Sequence, residues 1–364
     1  MLINKIKELI KIKVKIKIKI KLKIMLKVYR IKYYSYITSV RSYTLFGLFC
    51  WAYYLIRGEQ KLLEFLQQYS SSPFFVISSP FPVINNIPLL PKPLSSLQSF
   101  FKYQLNLNIK EKFNIKQYNK CKLVSVDVFK NIIETNENLK LIDELRFFNN
   151  IIIKKEEKDD FRKLKRIKNM DIILTKNFIN RINNYSRNLY FEEALLKLID
   201  DYFLVYFYDD NYINEFEYIM NIASNLGLGG NKNTGWGKIS IKFDENITKK
   251  IAVLNILQNS NSNKNSSKSK VKFITLSPII VNPEVINFID FSESFYELET
   301  YKSYSESAYK KGVLKNKVLY LKEGSIISIK QYQSFINNYK FIGYLKDVGN
   351  NIRQYGLEFP IEVI

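Results

Sequence analysis

The sequence contains no histidine. That absence removes imidazole general bases and imidazole metal ligands, and with them every Ser-His-Asp or Cys-His mechanism. Cysteine is nearly absent as well. Cys50 and Cys121 are too few for a zinc site or a disulfide framework, which points to a reducing compartment, the cytoplasm. The first 24 residues hold no uninterrupted apolar run, which excludes a transmembrane span there and argues against a secretory signal. Acidic side chains are scarce: 34 Asp and Glu face 56 Lys and Arg, a formal net charge of +22.

What is present is a chain of 364 residues, long enough for two domains with separate cores. Its hydrophobic fraction of 46% and aromatic fraction of 15% exceed what a disordered chain carries, so a folded protein is expected. Residues 1–24 carry nine lysines and one acid, Glu8. From Lys11 to Ile24 lysine alternates with Ile, Val or Leu, which puts the charge on one face of a strand. Two readings stand for this leader: a basic arm for RNA or an acidic surface, and a low-complexity extension upstream of a start at Met25. The second is favoured, and an N-terminal peptide of the native protein mapping before Met25 would exclude it. The rest of the chain is still basic, which fits a polyanion partner and equally fits codon bias.

Leu26–Tyr34 alternates as a strand. Ser42 precedes the apolar run Tyr43–Leu55, a buried helix with Ser42 as its expected cap, ended by Gly58. Glu59–Tyr69 reads as a second helix and Phe74–Ile77 as a short strand. Five prolines make Ser78–Leu94 an expected extended surface segment. Val124–Glu134 is the best helix of the middle region, Phe147–Ile153 a strand, and Lys154–Lys168 an exposed charged loop or hairpin arm. Glu192–Asp200 reads as a helix leading into the strand Asp201–Tyr208. Helix Ile213–Leu226, a glycine-rich loop 227–237 and strand Lys238–Phe243 complete a ferredoxin-like β-α-β unit. Residues 259–270, without one apolar side chain, read as a flexible loop.

The glycine loop is the most informative segment. Gly227, Gly229, Gly230, Gly235 and Gly237 are five of the chain's 12 glycines within eleven positions. Glycine admits positive φ, so successive amides can turn into one concavity and meet phosphate oxygens. Lys232 and Lys238 flank Asn233 with charge, and Trp236 offers a stacking face. The stretch is neither a P-loop nor a dinucleotide turn, because the helix comes first and the strand after. An ordinary flexible turn is the competing reading. Arg41, Ser42 and Thr44 open the first helix, where free amides favour an anion; a plain cap is the alternative. The pairs Asp159-Asp160, Asp200-Asp201 and Asp209-Asp210 invite a metal-nuclease reading, but lack a convergent third ligand.

Taken in order, these blocks resemble the fourth subunit of the Csm complex, the type III-A CRISPR interference effector, a RAMP-superfamily relative of the subunits that cap the crRNA 5′ end. The matching blocks are Val28–Lys32; Arg41-Ser42-Tyr43-Thr44-Leu45-Phe46-Gly47; Ser71–Pro82; Leu90-Pro91-Lys92-Pro93; Ile179-Asn180-Arg181-Ile182; the loop 227–237; Lys322-Glu323-Gly324-Ser325; and Gln354–Pro360. Tyr43 stands where the family usually has an acid. The resemblance runs from Met25 to Ile364 and implies an α+β fold of two ferredoxin-like, RRM-type RAMP domains, 25–247 and 248–364. It also implies a thumb-like arm within Lys154–Arg187 that pushes between guide nucleotides.

The function so implied is a non-catalytic, crRNA-binding subunit for antiviral defence. It would anchor the repeat-derived 5′ tag and bridge the large, Cas-ten-type subunit to the backbone RAMP subunit. No cofactor, metal, membrane or small-molecule substrate is implied. The RNA-binding set is Arg41, Ser42, Thr44, Lys92, Arg181, Gly227, Gly229, Gly230, Lys232, Asn233, Gly235, Trp236, Gly237 and Lys238. The alternative is a metal-independent RAMP endoribonuclease that processes precursor crRNA with Tyr or Lys. A basic structural protein without a guide is a third reading.

Overall fold

The computed structural model describes residues 25–94, 115–134, 145–148, 150–162, 169–257, 269–305, 313–349 and 352–363. The leader 1–24 and most of the 259–270 loop lie outside these residues. The described residues open with strand β1 (Leu26–Tyr33), helices α1 (Ser42–Arg57) and α2 (Glu59–Ser71), then β2 (Phe75–Ile77), β3 (Phe81–Ile84) and β4 (Ile87–Pro91). The middle region holds α3 (Ile115–Lys120), β5 (Leu123–Ser125), α4 (Val126–Glu134), β6 (Leu145–Phe148), β7 (Ile151–Lys154) and α5 (Lys158–Arg162). A long hairpin, β8 (Met170–Ile179) and β9 (Ser186–Leu196), leads to β10 (Asp201–Phe207), α6 (Tyr212–Leu226), β11 (Ile239–Phe243) and α7 (Glu245–Ile251). The last part comprises β12 (Lys270–Thr275), β13 (Leu298–Tyr301), β14 (Tyr304–Ser305), β15 (Val313–Leu314), β16 (Val318–Leu321), β17 (Ile326–Lys330), α8 (Tyr332–Asn338), β18 (Lys346–Asp347), β19 (Arg353–Gln354) and β20 (Pro360–Val363).

A nine-stranded sheet runs β11-β1-β10-β3-β4-β5-β7-β6, with β2 also paired to β10. It is mixed, since β5 and β7 are parallel and its other pairs antiparallel. At one end, β11-β1-β10-β2 with helices after β1 and after β10 is the strand order of a ferredoxin-like unit. Helices α1 and α6 cover one face of it. Their buried residues recur at helical spacing, Leu45, Phe46, Leu48, Phe49 and Ala52 against Ile213, Phe216, Ile219, Met220 and Ala223. Phe49 and Phe216 stack across the contact with centroids 5.4 Å apart.

Four expectations from the sequence are corrected. Ser42 is the first residue of α1 rather than its cap; Arg41 takes the cap position, and its N–H donates to Thr44 Oγ1 at 3.3 Å. Residues 78–94 are extended but not superficial, because β3 and β4 form a buried hairpin within the sheet. Its two-residue turn is Asn85-Asn86, both at positive φ. The prolines fit because neighbours supply ladder donors: Val83 N–H to Asp200 O at 2.9 Å and Lys92 N–H to Lys122 O at 2.8 Å. Glu192–Leu196 is strand rather than helix, its propensity overridden by cross-strand pairing with Met170–Leu174. The hairpin arm spans 170–196, later than the 154–187 window, whose described start is the single 3-10 turn Lys155–Glu157 and α5.

The main core joins both parts of the chain. Phe341, Leu345, Tyr355, Leu357, Phe359 and Ile361 belong to one apolar cluster with α1, α6 and the large sheet. Tyr355 Oη accepts the Ile77 N–H at 2.9 Å, and its ring lies 4.8 Å from Phe46. A second cluster, around Phe273, Ile327 and Phe335, fills the three-stranded sheet β17-β12-β20.

Glu358 is buried where these parts meet, and its carboxylate accepts the Ile342 and Gly343 N–H groups at 2.8 Å each. Burial raises its pKa from the ordinary 4.5 to about 7, with the two amides acting in the other direction. The folded state therefore holds a proton that the unfolded chain has lost between those values. Stability from this group is full below about pH 4.5 and is lost as pH rises through about 7. Glu358→Gln should flatten that part of the Tm-against-pH curve; an unchanged slope would refute the assignment.

Candidate nucleic-acid interface

The glycine loop leaves α6 at Gly227 and enters β11 after Lys238, closing on itself and on the segment after β1. Leu228 N–H donates to Gly237 O at 2.9 Å, and Gly237 N–H donates to Tyr36 O at 2.7 Å. Gly230 N–H donates to Thr38 Oγ1 at 3.1 Å. Gly227, Gly229, Gly235 and Gly237 have φ between 77° and 88°, and Asn231 joins them at 58°. Two of these positions have no room for a side chain. A Cβ on Gly229 would stand 2.5 Å from Thr38 Oγ1, and one on Gly237 would stand 2.9 Å from Leu228 N and closer to its carbonyl oxygen. The amides of Gly229 and Asn231 have no hydrogen-bond acceptor among the described residues.

The loop is docked against the base of the β8–β9 hairpin. Asn231 Nδ2 donates to Glu192 Oε2 at 3.1 Å, Lys176 pairs with the same carboxylate at 2.5 Å, and Lys176 Nζ lies 5.4 Å from the Trp236 ring centroid. Trp236 is buried and meets Tyr36 edge-on at 5.9 Å, so it holds the loop to its neighbours, with both ring contacts already made. Lys232 is half-buried across Gly227, while Asn233 and Lys238 are exposed. The hairpin beyond is unusual in exposing apolar residues: Ile173, Leu189 and Phe191 on one face, each about two-thirds exposed. Arg181 sits in its turn, exposed and apart from the loop.

The helix start is a second constellation, turned inwards. Arg41 pairs with Glu323 and, at 3.1 Å, with Glu299; Ser79 Oγ donates to Glu323 Oε1 at 2.5 Å and accepts Ser42 N–H at 3.1 Å. Burial opposes the Arg41 charge, and Glu323 and Glu299 more than restore it, so the guanidinium is held firmly protonated. Ser42 is fully buried and Thr44 is occupied by the cap. A carboxylate from the chain itself is therefore linked to this helix N-terminus through the Ser79 hydroxyl. The backbone around Lys92 runs beside the same turn, where Leu94 N–H donates to Gly324 O at 2.9 Å. Lys92 Nζ lies over the Tyr118 ring at 4.2 Å, and burial lowers its pKa, with Cys121 acting the other way.

The structure thus brings the predicted residues into two groups, the loop 227–238 and the Glu323–Gly324 turn, with Arg181 outside both. Thr38, Lys176 and Glu192 were missed; no local motif marks them, and the hairpin pairing places Lys176 and Glu192 beside the loop while the segment after β1 brings Thr38 there. The aspartate pair Asp200-Asp201 is taken by ion pairs, Asp200 with Arg30 at 3.4 Å and Asp201 with Lys197. Among the described residues no three Cys, Asp or Glu side chains converge as a metal site, and no helix is long and apolar enough to cross a membrane.

The fold is similar to that of chains in solved type III-A CRISPR complexes. A chain of the crystal structure of the Csm3-Csm4 subcomplex in the type III-A CRISPR-Cas interference complex matches 92% of this chain and 98% of its own length, with a TM-score of 0.61 at 20% identity. Chains of the Csm1-Csm4 cassette, in complex with AMPPNP and with cA4, match 93% of this chain and 98% of theirs, with TM-scores of 0.52 and 0.51 at 16% identity. Csm4 is the subunit these crystals share, and the fold described above resembles it. No protein-family model matches the sequence, and no curated relative does.

Proposed function

We propose that this chain is a non-catalytic RNA-binding subunit of a type III-A CRISPR effector, which anchors the repeat-derived 5′ tag of the crRNA and bridges a large subunit to the backbone RAMP subunits. The observation that carries the reading is the glycine loop. It is shaped by four positive-φ glycines, carries amides at Gly229 and Asn231 that have no acceptor among the described residues, and is flanked by Lys232 and Lys238. Backbone amides beside lysines bind phosphate oxygens without reading base identity. The exposed apolar hairpin supports the same reading, because such a surface is costly in water and favourable between bases or against a partner protein. The fold likeness to chains crystallised with Csm3 and with Csm1 supports both protein partners.

Affinity purification of the tagged chain from its native cells, with sequencing of bound RNA and identification of bound proteins, tests this reading. The expected result is short RNAs sharing one repeat-derived 5′ end, together with a large subunit and RAMP partners. Heterogeneous RNA without such partners would sink it. Incubating the purified protein with repeat RNA in EDTA addresses catalysis: intact RNA is expected, and specific cleavage would establish the endoribonuclease instead.

A further inference from the structure

The two faces of the β1–β11 ribbon treat their charges differently. In the antiparallel register Arg30 lies opposite Lys242 and Lys32 opposite Ser240. Alternation therefore puts Lys27, Tyr29 and Ile31 on the face with Ile241 and Phe243, and Arg30, Lys32 and Tyr34 on the other with Lys238, Ser240 and Lys242. The first face packs against α6, and its lysine is neutralised: Lys27 pairs with Glu217 at 2.9 Å. Among the described residues the second face is covered only at one end, where Asp244 caps α7 and takes Arg30 at 2.8 Å.

The uncovered end leaves Lys32, Lys238 and Lys242 exposed, and none has an acidic partner among the described residues. Tyr34 stands among them, 58% exposed, yet its ring is fixed. Its hydroxyl shares a hydrogen bond with Ser240 Oγ at 3.1 Å, and its N–H donates to Lys238 O at 2.9 Å, one residue from the last glycine of the loop. A positioned aromatic ring among unneutralised lysines, continuous with an amide-lined loop, is the chemistry that binds single-stranded nucleic acid. Lys32 and Lys242 are diagonal neighbours, about 7–8 Å apart at Cα, on the scale of one nucleotide step.

We propose that RNA held at the glycine loop continues across this open face, with Lys32 and Lys242 at successive phosphates and Tyr34 under a base. The inference rests on the RNA-anchoring reading above. Lys242, on the edge strand β11, has one other use, since charge there blocks pairing with another sheet, and the experiment separates the two.

Full-length wild type, Lys32→Ala/Lys242→Ala, Tyr34→Ala, Tyr34→Phe and Gly237→Val are titrated with a fluorescent synthetic single-stranded RNA bearing a free 5′ end, over a range of salt. The lysine double variant should bind roughly ten-fold more weakly at low salt, and its slope of log K against log salt should fall by about 1.4, or 0.7 per lost phosphate contact. Tyr34→Ala should weaken binding about five-fold or more with little change in slope, while Tyr34→Phe keeps its affinity because the ring is retained. Wild-type affinity and slope in the double variant, with Gly237→Val defective, would overturn the track and leave the loop standing. The same would follow if the double variant lost only protein partners or became prone to self-association. No binding by the wild type would overturn the anchoring reading itself.

Discussion

Replacing Gly237 with valine should abolish RNA retention at the glycine loop, and it should do so in a protein that remains folded. Two costs fall on the one position. The φ of +77° is a left-handed conformation that a β-branched residue adopts only under strain, about 1–3 kcal/mol. The added Cβ also meets the backbone of Leu228, which cannot swing aside as a flexible side chain would. Overpacking of this kind adds about 1–3 kcal/mol. The bond from Leu228 N–H to Gly237 O closes the loop, so relief comes by opening it and scattering its amides. Gly235 supplies the control, because its φ is +88° but nothing stands within 4 Å of where an added methyl would sit. Gly235→Ala should cost only about 1 kcal/mol and keep most RNA affinity. Equal binding by Gly237→Val and wild type would refute the loop's role.

The second large effect is expected at Arg41. Arg41→Ala removes the guanidinium that holds Glu323, whose side chain is only 10% exposed, and leaves a nearly buried carboxylate with Ser79 as its remaining donor. Breaking a buried pair from one side costs about 3–5 kcal/mol; the Arg41 side chain is about a quarter exposed, so the lower end applies. Glu299→Gln is the contrast. That carboxylate is 42% exposed, and its loss should cost under about 1 kcal/mol. Arg41→Lys should not rescue, since one ammonium cannot serve both carboxylates with the fork of a guanidinium. Urea unfolding of the three variants checks the order; a small loss in Arg41→Ala would show that the contact is solvated and structurally idle.

Much of the ferredoxin-like unit was legible in the sequence. Strand β1, helices α1, α2 and α6, and the strands around the glycine loop have strong local patterns, with Gly58 and Gly227 ending helices where they were expected to. The failures came where a distant partner decided the outcome. Ser78–Leu94 looked superficial because prolines disfavour central strands, but the Asn85-Asn86 turn and donors from Val83 and Lys92 let it enter the sheet. Glu192–Leu196 has helix-forming residues and became strand through β8. The site divides in the same way. The glycines announce their backbone conformation, whereas the burial of Trp236 and the capture of Arg41 by Glu323 depend on segments far along the chain.

The placement of Tyr355, Leu357, Phe359 and Ile361 in the main core bears on how the chain is made. The hydrogen bond from Ile77 N–H to Tyr355 joins residues 278 apart in sequence. Until that late segment has left the ribosome, α1, α6 and the large sheet lack part of the apolar surface they are shaped to cover. The nascent chain must therefore hold an incomplete core through most of its synthesis, and closing so long a loop is slow. A ribosome stalled after residue 340 should display a protease-sensitive chain, and release of the remaining residues should make it resistant in one step.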